Sequence, residues 1–191
     1  YVDNTPTHYY SGVELETATC ASTDVAEVGF VGRTLLNAFN ALEYGAEKNR
    51  PELVKSANSI FDTYLQNGFS AAGFFNEVVH YNRNFKEPAH SIRRQSEGVY
   101  AVLHYLNYEK QQKRKHPEWE KRIKTMLDTF LTLQNEDGSF PRKFKDDFSI
   151  VDASGGSTPS ATLPLVMGYK YFRDKRYLAS AKRTVEYLEN E

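Results

Sequence analysis

The chain has 191 residues, of which 40% are hydrophobic and 14% aromatic, and its formal net charge is −1. This length and composition suffice for a sizeable core, so we assign residues 1–191 to a single globular domain. The near balance of charge argues against partners such as nucleic acid or an anionic membrane, and no apolar run reaches the roughly 18 residues of a membrane span.

The first 23 residues form a long lead-in that carries no helix signal. Because the chain begins with Tyr1 rather than Met, we expect a processed protein or a piece of a longer one. The single Cys20 excludes an internal disulfide and leaves the compartment open, with a periplasmic or secreted location as one expectation.

Two kinds of apolar run alternate along the rest of the chain. Outer helices are predicted to start at Pro51, Pro117 and Asp174, because apolar residues then recur at helical spacing on one face only. Three inner helices are expected to be buried on all sides, since few polar positions interrupt Val28 to Leu42, Val99 to Leu106 and Leu163 to Phe172. Pro164 leaves the start of the third inner helix open.

The helices pair into three predicted hairpins at 24–67, 91–135 and 159–190, and the motif Leu-Gln-Asn recurs after 68 residues. Links within a hairpin are short, whereas residues 1–23, 68–90 and 136–158 are long connections. If the hairpins stack with parallel inner helices, the long connections gather at one end. Long loops in compact domains are usually functional, so we expect the site at this end, which we call the mouth.

The alternation of buried and amphipathic helices and the sequence "LQNEDGSFP" after an outer helix resemble the six-hairpin glycosidase superfamily. That superfamily includes unsaturated glucuronyl hydrolases and N-acylglucosamine epimerases. The resemblance implies an all-α fold, an α/α toroid, of which this chain supplies three hairpins, a partial (α/α)6 barrel. The rest of the barrel, or a second copy in a homo-oligomer, is then expected to cover the open hairpin flanks.

A second resemblance is weaker. The spacing of Gln134, Gly138 and Phe140 resembles the Gln-x-x-x-Gly-x-Trp repeat of terpenoid cyclases, with Phe in place of Trp. Those enzymes need clustered aspartates, and Asp146-Asp147 is followed by Phe148 and Ser149 instead.

The toroid resemblance implies an oligosaccharide or polysaccharide substrate bound at the mouth, near the first turns of the inner helices. Glu97 is the candidate general acid, with Asp24 or Asp152 as its partner carboxylate. The structural alternative for Glu97 is an ion pair with Arg93, four residues earlier. Asp24 and Glu27 could equally form a capping box, and Asp152 could merely shape a turn.

Further residues could hold the sugar. Arg93 and Arg94 suit a bidentate clamp on a substrate carboxylate, and Glu27 could bind hydroxyl groups. Tyr81, Phe75 and Phe144 lie on the long connections and could stack on sugar rings, or could instead fix the loops to the body.

We expect no cofactor and no metal, because the five histidines lack metal-ligand spacing and no phosphate-binding or nucleotide-binding motif occurs. The leading interpretation is a glycoside hydrolase acting by general acid and base catalysis. The alternative is a non-catalytic glycan-binding or assembly module on the same scaffold. A single well-paired acid at the mouth would favour the module, and two carboxyls across an open cleft would favour the enzyme.

Overall fold

Three antiparallel helix pairs build the protein. The computed structural model describes residues 13–14, 19–20, 25–26, 31–77, 79–80 and 89–190. Six α-helices occur in this described part: α1 Val31–Glu47, α2 Pro51–Asn67, α3 Ile92–Gln111, α4 Pro117–Leu133, α5 Thr158–Phe172 and α6 Lys175–Glu189. The three predicted hairpins are therefore confirmed.

The outer helices α2, α4 and α6 begin at local signals. Pro51 and Pro117 occupy the first turns of α2 and α4, where their fixed φ suits a helix and no N–H is needed. Asp174 caps α6 by accepting a hydrogen bond from the backbone N–H of Arg176 at 3.0 Å. The inner helix α5 begins at Thr158 and continues through the buried Pro164.

The start of the first inner helix differs from the prediction. Val25–Ala26 forms a strand, β3, which pairs antiparallel with Val79–His80, and α1 begins at Val31. Asp24 and Glu27 lie outside the described residues, so their role stays a prediction. The predicted start of this helix at residue 24 was wrong, because Val25–Ala26 pairs with a strand more than fifty residues away.

The inner helices lie side by side, with α3 between α1 and α5 and with α2 and α6 packed on α1 and α5. Only α3 approaches the expected burial on all sides. In α1, Asn37, Asn40 and Tyr44 are exposed, and in α5 Leu163 is 57% exposed. The expectation of complete burial was therefore wrong for α1 and α5, because each has an inner neighbour on one side only.

The second and third long connections meet at one end, as predicted. The remaining strands are β1 Val13–Glu14 and β2 Thr19–Cys20, then β4 Val79–His80, β5 His90–Ser91, β6 Lys143–Phe144 and β7 Ile150–Asp152. Strands β5, β6 and β7 form one antiparallel sheet, which joins the second connection to the third. The β3–β4 pair joins the segment before α1 to the second connection.

Gln134 explains the recurring motif after the outer helix α4. Its Nε2 donates to the carbonyl oxygens of Gly138 and Ser180 at 3.0 Å each and to Thr184 Oγ1 at 3.1 Å. Gly138 has φ +94°, and a Cβ there would lie 2.2 Å from the carbonyl oxygen of Arg183. The Gln-x-x-x-Gly pattern therefore docks a turn on α6, which is a structural task.

Candidate active site at the mouth

One side of α3 carries a row of polar and aromatic side chains. Arg93, Glu97, Tyr100 and His104 recur at helical spacing and are partly or fully exposed; we call them the inner stripe. The Tyr100 and His104 rings touch edge to face, with centroids 4.6 Å apart. Another side of α3 packs against an outer helix, through Tyr105 stacked on Phe61 of α2 at 3.9 Å. The inner stripe therefore lies away from the outer layer.

Glu97 and Arg93 are brought together by the helix. Arg93 Nε donates to Glu97 Oε1 at 3.0 Å, and the side chains are 29% exposed for Glu97 and 54% exposed for Arg93. The ion pair weighed as the structural alternative is thus present. The carboxylate nevertheless stays accessible to a ligand, and an exposed pair of this kind contributes only about 0.5 kcal/mol to stability.

Arg94 points to a different partner. Its Nη1 lies 3.3 Å from Oε2 of Glu77, whose side chain is only 5% exposed. Glu77 also accepts hydrogen bonds from the backbone N–H of Ser91 at 2.5 Å and from Gln95 Nε2 at 3.1 Å. This buried cluster holds the second connection against the start of α3. Sequence reasoning missed Glu77 and Gln95, because no local pattern links a loop carboxylate to a helix that begins fifteen residues later.

Asp152 lies in β7 at the same end of the molecule. Lys143 of β6 pairs with both Ser91 and Asp152, which places Asp152 two strands, or roughly 10 Å, from the first residue before α3. The Ser154 hydroxyl at 2.6 Å, the Ser154 backbone N–H and the nearby Arg142 lower the pKa of Asp152. An ionised carboxylate suits a base or nucleophile rather than an acid.

Two aromatic residues that were predicted to stack on sugar rings are buried, so the prediction was wrong for them. Phe75 and Phe144 are both 0% exposed. Phe75 stacks on Phe69 at 4.6 Å, and Phe144 meets Phe74 edge to face at 5.1 Å. Neither ring has surface to offer a ligand, so both belong to the core beneath the loops. Tyr81 lies outside the described residues.

His104 is a candidate that sequence reasoning did not select. Its Nε2 is buried with no hydrogen-bond partner among the described residues, and its ring lies 5.2 Å from that of Phe39. Burial lowers the pKa of His104, although Glu43 opposes the shift. The neutral imidazole that results can accept a proton at neutral pH. The signal in the sequence was that His104 follows Arg93 by eleven residues, or about three helical turns, and so lies on the same side of α3.

Two further observations concern metal ligands and membrane-spanning helices. Among the described residues, no three His, Cys, Asp or Glu side chains come together as metal ligands would. In the same part of the chain, every helix is too short or too polar to cross a bilayer.

Solved structures resemble nearly the whole chain. D-mannose isomerase matches with a TM-score of 0.73 and 15% identity over 97% of this chain and 46% of that one. Cellobiose 2-epimerase from Bacillus thermoamylovorans B4167 matches with 0.73 and 16%, over 97% and 49%. Unsaturated glucuronyl hydrolase from Bacillus sp. GL1 matches with 0.68 and 16%, over 89% and 48%.

The fold is that of the six-hairpin α/α toroids. This confirms the predicted fold class and the resemblance. The chain spans about half the length of the solved structures it matches, so its three hairpins correspond to a partial toroid. At this identity the likeness concerns the fold alone. No protein-family profile and no curated protein matches the sequence.

Proposed function

We propose that the protein is carbohydrate-active and binds a sugar at the mouth, where the inner stripe begins. The observation that supports this most is the accessible Arg93–Glu97 pair, which an inner helix presents beside the converging long connections. A guanidinium and a carboxylate side by side can bind vicinal hydroxyl groups, and the carboxylate can exchange a proton with the ligand. The similar solved structures include proteins named for action on sugars.

The first candidate reaction is glycoside hydrolysis. Glu97 would protonate the leaving oxygen, and Asp152, which its hydrogen bonds hold ionised, would activate water or attack the sugar. Asp24 remains a candidate for the same second role.

The second candidate reaction is epimerisation or isomerisation, which His104 favours. Such a reaction moves a proton to and from carbon, and the neutral imidazole of His104, which is partly exposed on the inner stripe, can accept that proton. Glu97 lies two turns away on the same stripe and could exchange a proton with a sugar oxygen.

A substitution at Glu97 tests the proposal. Turnover and binding are measured for Glu97→Gln on cello-oligosaccharides and unsaturated glycosaminoglycan oligosaccharides, with hydrolysis and epimerisation followed separately. We expect binding to weaken by less than about tenfold and turnover to fall by about a hundredfold or more, the usual range for removing a catalytic acid or base. Glu118→Gln, an exposed carboxylate in the first turn of α4, is the matched control and should change neither.

The outcomes separate the candidates. Loss of hydrolysis with retained binding supports the hydrolase, and loss of epimerisation in both Glu97→Gln and His104→Gln supports the epimerase. Binding without turnover in the unsubstituted protein supports the glycan-binding module, which the existing ion pair of Glu97 favours. If no sugar binds, the proposal fails.

We also propose that a further helical hairpin, from the rest of a ring or from a second copy, covers the outer flank of α5 and α6. A groove of about 340 Å³ there is lined by Thr162, Val166, Leu178, Ala181 and Val185, among others. Leu163, Val185 and Leu188 are 57%, 43% and 39% exposed. If a second copy covers this flank, light scattering on the 191-residue chain should show self-association that Leu163→Lys with Val185→Lys abolishes; a stable monomer of 21.9 kDa would contradict the second copy.

A further inference from the structure

Phe148 adopts a backbone conformation that its side chain disfavours. Its φ is +65°, and the other described non-glycine residues at positive φ, Asn49, Lys113 and Arg173, each follow the end of a helix, where this conformation is common. Phe148 instead sits in the hairpin between β6 and β7, after a turn closed by its own N–H on the Lys145 carbonyl. Glycine or asparagine is usual at such a position.

The hairpin tip around Phe148 is held firmly. Asp146 Oδ1 lies 2.6 Å from Nε2 of the buried His90. Asp147 accepts hydrogen bonds from the backbone N–H and hydroxyl of Ser149 at 3.0 and 2.6 Å. The Phe148 ring meets Phe74 edge to face at 6.2 Å. These contacts hold the backbone of Phe148 in its strained conformation.

The ring is nevertheless left open to solvent. Phe148 is 43% exposed, and the neighbouring Ile150 and Val151 are each 49% exposed. The buried ring of Phe74 meets that of Phe148, and the buried Phe144 pairs with Ile150 in the sheet. A strained aromatic residue that gains little burial is held at a cost to stability, which points to a role for its exposed face.

The strand register places this tip on the rim of the mouth. Ser91, which precedes α3, pairs with Lys143, while His90, one residue further from α3, pairs with Phe144. The hairpin therefore extends away from α3. Glu97 lies about 9 Å along α3 from Ser91, whereas Phe148 lies beyond the His90–Phe144 pair, on the side of Ser91 away from α3. We infer from these positions that one sugar ring does not touch both residues.

We propose that Phe148 is a stacking platform for a sugar ring other than the one held by the Arg93–Glu97 pair. The inference rests on the proposed function and deepens it, because it makes the substrate an oligosaccharide. The C–H face of a pyranose is apolar and packs on an aromatic ring, and the fixed tip presents that ring without further loss of conformational freedom.

The test measures affinity against chain length. Isothermal titration calorimetry is run with cello-oligosaccharides and unsaturated glycosaminoglycan oligosaccharides, from monosaccharide to hexasaccharide. We expect Phe148→Ala to weaken binding of the longest ligands roughly fivefold or more, and to leave the shortest unchanged. Phe148→Tyr keeps an aromatic ring and should bind the longest ligands as tightly as the unsubstituted protein. Tyr44→Ala removes an exposed aromatic at the opposite end of the molecule and is the matched control.

The variant Phe148→Gly separates the effect of losing the ring from an effect on stability. It removes the ring and the backbone strain together, so it should bind long ligands as weakly as Phe148→Ala while unfolding at a higher temperature than Phe148→Ala. Equal weakening for all lengths, or none, would overturn the platform while leaving the proposed function intact. A changed solution mass with unchanged affinity would assign the surface to a protein partner and also overturn it. If the unsubstituted protein binds no sugar, both proposals fall.

Discussion

The side chain of Gln95 pairs with the backbone of Phe75 as a neighbouring strand would. Its Oε1 accepts from the Phe75 N–H at 2.8 Å and its Nε2 donates to the Phe75 carbonyl oxygen at 2.9 Å, with both residues 0% exposed. The second connection is therefore fastened to α3 by a side chain rather than by a sheet. This contact fixes the loop two residues, or about half a turn, before Glu97.

Replacing Gln95 tests that attachment. We expect Gln95→Leu to lower the free energy of unfolding by about 2–3 kcal/mol, because it leaves a buried N–H and a buried carbonyl without partners. Chemical denaturation measures the change. Gln111→Leu, an exposed position at the end of the same helix, should alter stability by less than about 0.5 kcal/mol. Similar values for the two variants would contradict the role given to Gln95.

Gly73 and Gly138 both have positive φ, so comparing their substitution by alanine separates the cost of backbone strain from the cost of a steric clash. Gly73 has φ +91° and open space where a methyl group would point, so Gly73→Ala should cost about 1 kcal/mol. Gly138 has φ +94°, and its added Cβ would lie 2.2 Å from the Arg183 carbonyl oxygen, so Gly138→Ala should cost at least about 2 kcal/mol. Thermal unfolding compares the pair, and a smaller loss at Gly138 would disprove the docking of the turn on α6.

The buried carboxylate of Glu109 should make the free energy of unfolding depend on pH in the acid range. Burial would raise its pKa, but hydrogen bonds from Arg114, through Nε at 2.7 Å, and from His116 Nε2 at 2.8 Å outweigh burial and lower it. A lowered carboxylate pKa stabilises the fold above the unfolded value of about 4.3 and ceases to do so as the pH falls through the folded value.

Glu109→Gln should therefore destabilise the protein by roughly 1–3 kcal/mol at pH 7, since the ionic hydrogen bonds weaken. The difference from the unsubstituted protein should shrink below about pH 4. Urea unfolding at several pH values measures it. A gap that stays constant down to the acid limit would show that the pair does not titrate as described.

His104 should titrate below the ordinary histidine range. Because burial lowers its pKa, its contribution to stability is complete above about pH 6.5 and is lost as the pH falls through the folded value. NMR of the imidazole C–H signals follows the titration directly. Glu43→Gln should lower the pKa further, since Glu43 favours the protonated ring. A pKa at or above 6.5, the ordinary value, would contradict the effect of burial on this ring.

The outer helices could be predicted because their signals are local. Proline in the first turn of α2 and α4, an aspartate cap on α6 and one-sided apolar spacing each act within a few residues. The turn after α4 was likewise readable from Gly138. The inner stripe could have been read as well, since its spacing from Arg93 is purely helical.

What failed depends on distant contacts. The start of α1 was misplaced because β3 pairs with β4 from another connection, and no residue near Asp24 announces that partner. Phe75 and Phe144 look like exposed loop aromatics in the sequence, yet the convergence of two connections buries them. Sequence spacing does not reveal which loop side chains end up beneath the others.

Strand β5 ends at Ser91 and α3 begins at Ile92, with no residue between them. The hairpin of β6 and β7 is therefore joined to the first turn of α3 by the pairing with β5 and by the hydrogen bond from the Ile92 N–H to the Arg142 carbonyl oxygen at 3.1 Å. We expect a ligand bound on this hairpin to affect the turn that carries Arg93 through these two connections.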